Sequence, residues 1–542
     1  MSTPLSFSGF SVLCRRPFLW AVVAVGAALR IFQYASDTSL WFDELSLVRN
    51  LVNRSSEQLL LEPLRYNQVA PVGFLLAEKG ISRVLGTSDL AFRFLPLVAG
   101  VAALVFFLRL AERLLSGYAV PFAVAAFSIG VPFIRYSAEV KQYGIDIAAI
   151  LALSLTALRL RDADSTAARC VLAGIAGAAL VAFSQAAVFA LAGLGAALLV
   201  AWILDRDPQT RRAILIAVPI WAVASALAVL VAVRHVAPAT RAFMDSFWRA
   251  RGGFPPWPLE KPGDALWLWA RVLELLAEPA VLNYRVPALY GGLAIAGLVA
   301  LWRRNLFAAL VLLGPFSVAV LAAAARQYPF RTRVVLFLVP GLVLAIAQGA
   351  EWLRQRASRL HAFPGGILMA ALFASPAWAF LETGPPYKVE DYKTVLAFLR
   401  DHRQPGDAVF VFSYAVEAVE RYGAEYGLTP GDYQVGGCSR EDRRLFLRDL
   451  DRYRGKPRLW LIASAVPGFS PDRKTVESYL ATIGWRRQSI VVPSLKPIDP
   501  VSVELFDLSD PARLAAASSE TFPLEPEGVF RPNCGEWVAP LK

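Results

Sequence analysis

Two adjacent carboxylates, Asp43 and Glu44, come shortly after the first long apolar run of the chain. A carboxylate held close to a hydroxyl can take or orient its proton, which is the task of a general base. The pair also has a structural explanation, because Asp43 could cap a helix over 44–51 and favour its dipole. The aromatic neighbours Trp41 and Phe42 are typical of a membrane interface. Both explanations stay open on these residues alone.

A second polar group follows in the same stretch of chain, where Asn67 and Gln68 stand shortly before Pro71. The apolar spacing after the proline predicts a helix over 72–85. Proline is favoured at the first position of a helix, so a turn and a helix start are enough to explain the segment.

The segment 135–143 reads Arg-Tyr-Ser-Ala-Glu-Val-Lys-Gln-Tyr and joins two predicted spans. It places Glu139 among two cations, Arg135 and Lys141, and two tyrosines. If the segment is helical, Glu139 shares one face with Tyr143, four residues on. The alternative is an interfacial salt-bridge cluster within a belt of tyrosines.

Three arginines, Arg326, Arg331 and Arg333, flank Tyr328 at the mouth of a late predicted span. The forked guanidinium group suits phosphate, and a lipid-linked phosphate would lie at this depth. The alternative is that these arginines bind anionic lipid headgroups or extend to the interface.

No histidine or cysteine pattern predicts a metal site. His235, His361 and His402 are far apart in the chain, and the four cysteines fit no zinc spacing. A hard cation such as Mg²⁺, Mn²⁺ or Ca²⁺, held by Asp43 with another carboxylate, stays open. The metal is therefore unknown, and no other cofactor is expected.

Long apolar runs must position these residues. The chain has 542 residues, of which 56% are hydrophobic and 18% charged, against about 25% charged in soluble domains. Runs of about 20 apolar residues are long enough to cross a bilayer as helices. We predict eleven spans: 17–35, 90–109, 118–135, 143–160, 168–184, 187–204, 213–233, 287–302, 306–325, 333–350 and 364–381.

The positive-inside rule orients these spans with the N-terminus in the cytoplasm. The short loops on that side are all basic, which accounts for much of the net charge of +12 without nucleic acid. The eleven spans then place the large polar segments 36–89, 234–286 and 382–542 on the extracytoplasmic side, called the outer side below. We expect a multi-pass protein of the inner membrane whose chemistry lies on the outer side.

The last 161 residues predict a separate outer domain. Apolar runs predict strands, helical stretches at 391–400 and 415–426 lie between them, and the alternation indicates a small α/β fold. The predicted strands are 408–412, 459–463, 488–492 and 501–506. Cys438 and Cys534 share this domain on the oxidising side, so we predict that they form a disulfide. The expected fold is therefore a mainly α polytopic membrane domain, 1–381, followed by an outer α/β domain, 382–542.

Together these features resemble the polytopic glycosyltransferases of the GT-C fold. More narrowly, they are similar to the family of protein O-mannosyltransferases and lipid A aminoarabinose transferases. The resemblance covers 1–380 in organisation. Its motifs are the acidic pair 43–44, the polar element 67–74, the Tyr-Ser-x-Glu element 136–143, and Tyr-Pro-Phe followed by arginine in 328–333. Two positions depart from the family pattern, since Lys141 stands where arginine is usual and Ala70 where many relatives have histidine or proline.

The resemblance implies transfer of a sugar from a polyprenyl-phosphate donor to an acceptor hydroxyl, with inversion. Asp43 would act as the base, with Glu44 supporting it. The donor phosphate would be bound by cations, and the sugar or acceptor by a set of polar side chains. The expected phosphate-binding residues are Lys141, Arg331, Arg333, Arg326 and Arg135. The expected substrate-binding residues are Glu139, Tyr143, Tyr328, Asn67 and Gln68.

The acceptor class stays open among a glycan, a lipid and a protein. Two other functions would also explain the spans and the basic loops: a lipid transporter or flippase, and a non-catalytic protein of envelope assembly. A transporter should show polar or broken helices near the midplane of the membrane. The predicted spans are apolar there and the polar clusters lie outside, which favours the transferase.

Overall fold

The computed structural model describes residues 13, 16–279, 281–357, 364–437, 442, 444–465, 470–495 and 499–526. The chain divides into two compact units. The first, called the membrane unit below, comprises Met1–Asp37, Leu51–Leu64 and Val69–Pro386. The second, called the outer unit after its predicted side, comprises Thr38–Asn50, Arg65–Gln68 and Tyr387–Lys542.

The described part of the membrane unit is helical. Helices are labelled in order along the whole chain, and α2 (Phe42–Asn53) belongs mostly to the outer unit. The others are α1 (Arg16–Ala35), α3 (Ser56–Leu61), α4 (Val72–Leu85), α5 (Asp89–Leu114), α6 (Ala119–Ile129), α7 (Val131–Arg135), α8 (Tyr143–Arg159), α9 (Ala167–Phe183), α10 (Ala186–Asp205), α11 (Pro208–His235), α12 (Pro238–Ala250), α13 (Trp267–Ala277), α14 (Pro287–Arg304), α15 (Leu306–Ala324), α16 (Val339–Ala357) and α17 (Pro364–Thr383).

Seven helices of the described residues are long and apolar enough to cross a membrane. An eighth span results if α6 and the helical segment after it, which are bent by 53° at Gly130, count as one. The protein is therefore a multi-pass membrane protein. Each of the eleven predicted spans coincides with helical structure, but α8 and α9 have 17 residues each and are short for a span. The number eleven stays a prediction.

Close glycine contacts pack the long helices of the membrane unit. A Cβ on Gly297 of α14 would lie 1.9 Å from the carbonyl oxygen of Ala345 in α16. A Cβ on Gly349 of α16 would lie equally close to the carbonyl oxygen of Leu293. The two backbones therefore touch, as in small-residue packing between membrane helices, and a larger side chain at either glycine would separate them.

The described C-terminal part of the outer unit contains a five-stranded sheet of order β2-β1-β3-β5-β4. β1 pairs in parallel with β2 and β3, and β5 is antiparallel to both β3 and β4. The strands are β1 (Ala408–Val411), β2 (Gln434–Val435), β3 (Leu459–Ala465), β4 (Trp485–Val492) and β5 (Asp499–Asp507). The helices are α18 (Tyr392–His402), α19 (Val416–Tyr422), α20 (Leu445–Asp451), α21 (Ser470–Ile483) and α22 (Pro511–Leu514).

This sheet confirms the predicted α/β character, and all four predicted strands are present. The central strand β3 is buried along its apolar residues, for example Leu461 and Ile462, which are fully inaccessible. Buried parallel strands are expected to read as continuous apolar runs. The predicted disulfide between Cys438 and Cys534 lies outside the described residues, and Cys170 in α9 is a buried free thiol.

Candidate functional site

The acidic pair lies in the first turn of α2, which begins at Phe42. Oε2 of Glu44 accepts a hydrogen bond from the backbone N–H of Trp41 over 3.2 Å. Glu44 thus supports the start of the helix, as the glutamate of a capping box does. Asp43 lies inside the helix, one residue after its first position, so the predicted alternative of Asp43 as the cap is wrong.

Gln68 contacts Asp43, although 25 residues separate them in the chain. Its Nε2 donates a hydrogen bond to Oδ1 of Asp43 over 3.0 Å. The backbone turns between the two through left-handed residues, Tyr66 at φ 61° and Asn67 at φ 52°. Asparagine tolerates this conformation better than most residues. The structure therefore joins Gln68 to the acidic pair, and Asn67 forms the turn that brings it there.

Asn50, near the end of α2, fixes this turn with two hydrogen bonds. Its Oδ1 accepts from the N–H of Arg65 over 2.9 Å, and its Nδ2 donates to the Arg65 carbonyl over 3.2 Å. A side-chain amide can pair with both groups of one residue in this way. Because these two hydrogen bonds hold Arg65 at the start of the turn, Asn50 helps to place Gln68 against Asp43.

A buried ion pair anchors the other face of α2. Arg49 donates to Glu417 over 2.9 Å and to Glu420 over 3.2 Å, and its guanidinium lies 5.1 Å from the centre of the Tyr66 ring. Burial raises the pKa of Glu417 to about 7, although Arg49 and a hydrogen bond from Ser46 favour the ionised form. Arg49 was not among the residues predicted from the sequence, since one arginine in a polar helix carries no signal.

In the membrane unit, Arg135 and Glu139 form an ion pair, and both are buried. Arg135 also donates to the Tyr136 hydroxyl over 3.1 Å, and the Tyr136 ring meets the Tyr143 ring edge to face at 5.2 Å between centroids. The segment is not one helix, because Tyr136–Ala138 is a short 3₁₀ helix and α8 starts at Tyr143. The predicted sharing of a helical face by Glu139 and Tyr143 is therefore wrong, although the cluster itself exists.

Four arginines from three segments lie within electrostatic reach of one another, and we call Arg135, Arg251, Arg331 and Arg333 the arginine cluster. Arg333 acts on Arg135, and both Arg331 and Arg333 act on Arg251. Burial, together with these two positive charges, lowers the pKa of Arg251. Like charges repel at this range, so the arrangement favours an anion.

Arg251 was not among the residues predicted from the sequence. The N–H of Phe330 donates to the carbonyl of Gly253 over 2.7 Å, which ties the loop after α12 to the loop that carries Arg331. The indole N–H of Trp267 donates to the Gly252 carbonyl over 2.9 Å and holds the same loop. The only available signal was an arginine beside glycines and aromatic residues in a predicted outer segment.

Acidic partners offset part of the charge of the arginine cluster. Glu274 on α13 binds Arg331 over 2.7 Å and Arg271 over 2.5 Å, so one carboxylate is shared between two guanidinium groups. Glu139 is paired with Arg135. Glu139 and Glu274 therefore neutralise part of the positive charge of Arg135 and Arg331.

The remaining predicted residues of the membrane unit differ in how far their side chains are buried. Lys141 is buried in the turn after Glu139, with its N–H donating to the Glu139 carbonyl over 2.7 Å. The Tyr328 hydroxyl donates to the Val334 carbonyl over 2.9 Å, and its ring lies 4.6 Å from that of Phe189. Arg326 is exposed.

A buried carboxylate inside a predicted span, Asp146, was missed. It lies in the first turn of α8 and accepts a hydrogen bond from Ser184 Oγ over 2.5 Å, at the predicted break between α9 and α10. Asp146 also acts electrostatically on Tyr328. The expectation of apolar spans was therefore too simple, and an aspartate within 143–160 was the signal that could have found it.

A cavity of about 530 Å³ lies at the other end of α8 and is lined by charged residues that are already paired. Arg113 binds Asp162 over 2.8 Å, and Arg161 binds Asp205 over 2.6 Å. Since α8 spans roughly 25 Å at 1.5 Å per residue, this cavity is remote from Arg135 and Glu139. It is not part of the candidate site.

No group of three or more His, Cys, Asp or Glu side chains among the described residues could hold a metal ion. The open expectation of a divalent cation at Asp43 thus has no ligand set within this part of the chain. No chemical step is assigned to a metal below.

Comparisons with known proteins give distant structural likenesses. No family model matches the chain, and no curated protein matches it. ArnT from Cupriavidus metallidurans, bound to undecaprenyl phosphate, is similar at a TM-score of 0.46 and 12% identity, over 92% of this chain and 98% of that chain. Two structures of the Archaeoglobus fulgidus oligosaccharyltransferase are also similar, one with zinc and sulfate and one, of AglB, with an inhibitory peptide and a dolichol-phosphate.

For the complex with zinc and sulfate, the TM-score is 0.47 at 14% identity, over 89% of this chain and 72% of that chain. For the complex with the inhibitory peptide, the TM-score is 0.45 at 13% identity, over 89% and 74%. At this identity and these TM-scores, the likeness by itself assigns no activity to this chain.

Proposed function

We propose that the protein is an integral membrane glycosyltransferase that moves a sugar from a polyprenyl-phosphate donor to an acceptor hydroxyl. The observation that carries the proposal is the arginine cluster, in which Arg251, Arg331 and Arg333 come together beside the buried Arg135–Glu139 pair. Bringing several guanidinium groups together is costly unless an anion offsets their charge. Glu139 and Glu274 supply part of that charge, and a lipid phosphate near the membrane surface is proposed to add to it.

The reaction breaks the bond between the anomeric carbon and the phosphate oxygen, and the electron pair leaves with the phosphate. Negative charge therefore grows on the phosphate in the transition state, and fixed cations lower the barrier. Arg331, Arg333 and Lys141 are assigned to this role, with Arg251 beside them. Arg135 binds phosphate while paired with Glu139, and the exposed Arg326 makes a peripheral contact.

Asp43 is assigned the role of base. The acceptor oxygen attacks the anomeric carbon from the face opposite the phosphate, so the configuration inverts, and the hydroxyl proton passes to Asp43. The hydrogen bond from Gln68 orients the carboxylate, while Glu44 holds the start of the helix. A positioned base of this kind contributes roughly 10²- to 10⁴-fold.

Polar side chains near these groups are assigned to the substrates. Glu139 and Tyr143 contact the donor sugar or orient Lys141, and Tyr328 contacts the sugar or the lipid. Gln68 contacts Asp43 and Asn67 forms the turn before it, and both are assigned to the acceptor. The active side is the extracytoplasmic face of the inner membrane, with the N-terminus in the cytoplasm, which the basic short loops support.

The test compares the wild type with Asp43→Asn in purified full-length protein in lipid nanodiscs. The donor probe is undecaprenyl phosphate carrying a radiolabelled hexose or pentose, membrane extract supplies the acceptor, and the release of undecaprenyl phosphate is measured. We expect a loss of at least about 100-fold at unchanged thermal stability. Full activity of Asp43→Asn contradicts the base role.

The same preparation separates the transferase from the other functions. A labelled lipid that crosses the bilayer of a proteoliposome without losing its sugar would favour a flippase. A non-catalytic protein of envelope assembly would release no undecaprenyl phosphate from either labelled donor, the hexose or the pentose. Its function in cells would be unchanged by Asp43→Asn. Sugar transfer that requires Asp43 excludes both.

A further inference from the structure

The sheet of the outer unit has an end, formed by the carboxyl ends of its parallel strands, at which related folds bind ligands. The connection after β1 leads to β2 on one side, whereas the connection after β3 leads to β4 at the opposite edge. Open sheets with parallel strands bind ligands in the crevice outside the carboxyl ends of two such strands. Here those ends are Val411 of β1 and Ala465 of β3, which run in parallel.

The start of α2 lies against the carboxyl ends of β1 and β3. Glu390 is buried, and its Oε1 accepts from the hydroxyl of Ser464 in β3 over 2.9 Å. Its Oε2 accepts the backbone N–H of Phe42 over 2.6 Å. The Phe42 ring stacks on Tyr414, which follows β1, at 4.3 Å between centroids. The residue before Asp43 is therefore fixed to both strands of the crevice.

The bond from Phe42 to Glu390 has a specific effect on α2. The first N–H groups of a helix have no partner within it, and Phe42 is the first residue of α2. A carboxylate at this end satisfies the N–H and favours the helix dipole. Glu390 thus acts as a cap supplied from elsewhere in the chain, and Asp43 is the next residue.

Two further contacts hold the chain that leads into α2. The N–H of Leu40 donates to the hydroxyl of Tyr422 over 2.8 Å. The N–H of Lys393 donates to Ser39 Oγ over 2.9 Å. Because these contacts lie before the helix and Arg49 is bound to Glu417 later in it, the position of Asp43 is determined from both directions.

We propose that Glu390 and Tyr414 are positioning residues that fix the position of Asp43 through Phe42. The crevice at the carboxyl ends of β1 and β3 then binds a segment of this chain, the start of α2, and in this way serves the active site. The proposal rests on the proposed function for the role of Asp43. It assigns the outer unit a task in the chemical step. A displacement of about 1 Å in a catalytic group can cost roughly 100-fold in rate.

The kinetic test uses full-length protein and the undecaprenyl-phosphate sugar probe. Glu390→Ala should lower kcat about 10- to 100-fold and leave the KM for the donor within about twofold, because the donor phosphate is bound elsewhere. Glu390→Gln should restore kcat to within about threefold, since its amide oxygen can still accept the Phe42 N–H. Glu504→Ala is the matched control, because it removes another buried carboxylate of this sheet, one that binds Arg486.

A double variant separates positioning from a general loss of structure. If Glu390 acts through Asp43, then Glu390→Ala together with Asp43→Asn should lose no more activity than Asp43→Asn alone. Independent losses that multiply would overturn the proposal. A loss in Glu504→Ala as large as that in Glu390→Ala would also overturn it, because it would show that the domain as a whole is damaged.

Hydrogen exchange gives a measurement that does not depend on activity. Phe42→Pro removes the N–H at a position where proline fits a helix start, whereas Phe42→Leu keeps the N–H and removes the ring stacking. Exchange of residues 43–46 should rise about tenfold or more in Phe42→Pro and in Glu390→Ala, and less in Phe42→Leu. Unchanged exchange in Glu390→Ala overturns the positioning role even if Asp43 is essential. Raised exchange with a fully active Asp43→Asn would instead reject the base.

Discussion

Gln68 donates a hydrogen bond to Oδ1 of Asp43 over 3.0 Å, and this amide is buried. The contact restricts the rotation of a carboxylate that is proposed to accept a proton. Gln68→Ala should therefore lower kcat by about tenfold. It should lower the free energy of unfolding by only roughly 1 kcal/mol, which is the contribution of one hydrogen bond from a neutral donor. The measurement is the release of undecaprenyl phosphate at saturating donor.

The control for this variant is Gln58→Ala, which removes an exposed glutamine of α3 that belongs to a capping box. It should change stability slightly and leave kcat unchanged. If Gln68→Ala keeps full activity, the amide does not orient Asp43 during the reaction.

The pair of Arg49 and Glu417 predicts a pH effect on the docking of α2. Burial raises the pKa of Glu417 to about 7 in the folded state, against 4.5 when exposed, while Arg49, Ser46 and Glu420 face its carboxyl group. Between pH 4.5 and 7 the folded state binds more protons than the state in which α2 is undocked. The stabilisation of docked α2 is therefore complete below about pH 4.5 and is lost as the pH rises through 7. The loss is on the order of 3 kcal/mol.

Hydrogen exchange of residues 42–50, corrected for the intrinsic pH dependence, checks this effect between pH 5 and 8. Protection should fall with rising pH in the wild type and fall less in Glu417→Gln, which keeps an acceptor for Arg49 and leaves only Glu420, whose pKa burial also raises, to titrate beside it. The exposed Glu425 on the next turn is the matched control, and Glu425→Gln should behave as the wild type. Protection that rises with pH would show that Glu417 stays ionised beside Arg49.

The helices follow from local signals in the sequence. Apolar length alone placed the predicted spans on helices, for example 168–184 on α9, which ends at Phe183, and 187–204 on α10, which begins at Ala186. β2 was missed because it has only two residues, Gln434 and Val435, and exists through its pairing with β1. A strand of that length has no periodicity to detect.

The candidate site depends on contacts that no local pattern contains. The acidic pair was visible as adjacent carboxylates, but Glu390, which accepts the N–H of the preceding residue Phe42, is 348 residues away from it. Gln68 reaches Asp43 only because two successive residues adopt left-handed conformations. Arg251 joins the arginine cluster through a loop whose course depends on Gly253 and Phe330. Such placement is decided by tertiary packing, so residue types alone predicted the chemistry and not the partners.

Glu78 on α4 predicts a stabilising substitution. Its side chain is fully buried, and neither carboxylate oxygen has a hydrogen-bond partner among the described residues. Burial raises the pKa of Glu78 well above its usual value of 4.5, so the folded state loses stability as the pH rises from 4.5 toward the raised pKa. Glu78→Met should raise the free energy of unfolding by about 1–3 kcal/mol, because it removes a polar group that is buried without a partner.

Thermal unfolding of the full-length protein at pH 6 and pH 8 measures this effect. The gain in melting temperature should be larger at pH 8, where the carboxyl group of the wild type is nearer to ionisation. Glu57→Gln, an exposed change on α3, should leave the melting temperature unchanged. A lower melting temperature in Glu78→Met would mean that the carboxyl group has a partner or a role of its own.

Arg251 provides a test of the arginine cluster in which a structural role and a binding role give opposite results. Arg331 and Arg333 repel its guanidinium and help to lower its pKa, whereas the Phe247 ring, whose centre lies 3.7 Å away, attracts it, so Arg251→Ala should change the melting temperature little when no anion is bound. Undecaprenyl phosphate should raise the melting temperature of the wild type, because a ligand stabilises the state that binds it. That increase should be smaller in Arg251→Ala, with an affinity about tenfold weaker and less dependent on salt.

Arg249→Ala, an exposed change on α12 that breaks a pair with Asp245, should bind as the wild type does. If Arg251→Ala instead loses stability without the lipid and binds it normally, the arginine is structural and the phosphate site must be sought elsewhere.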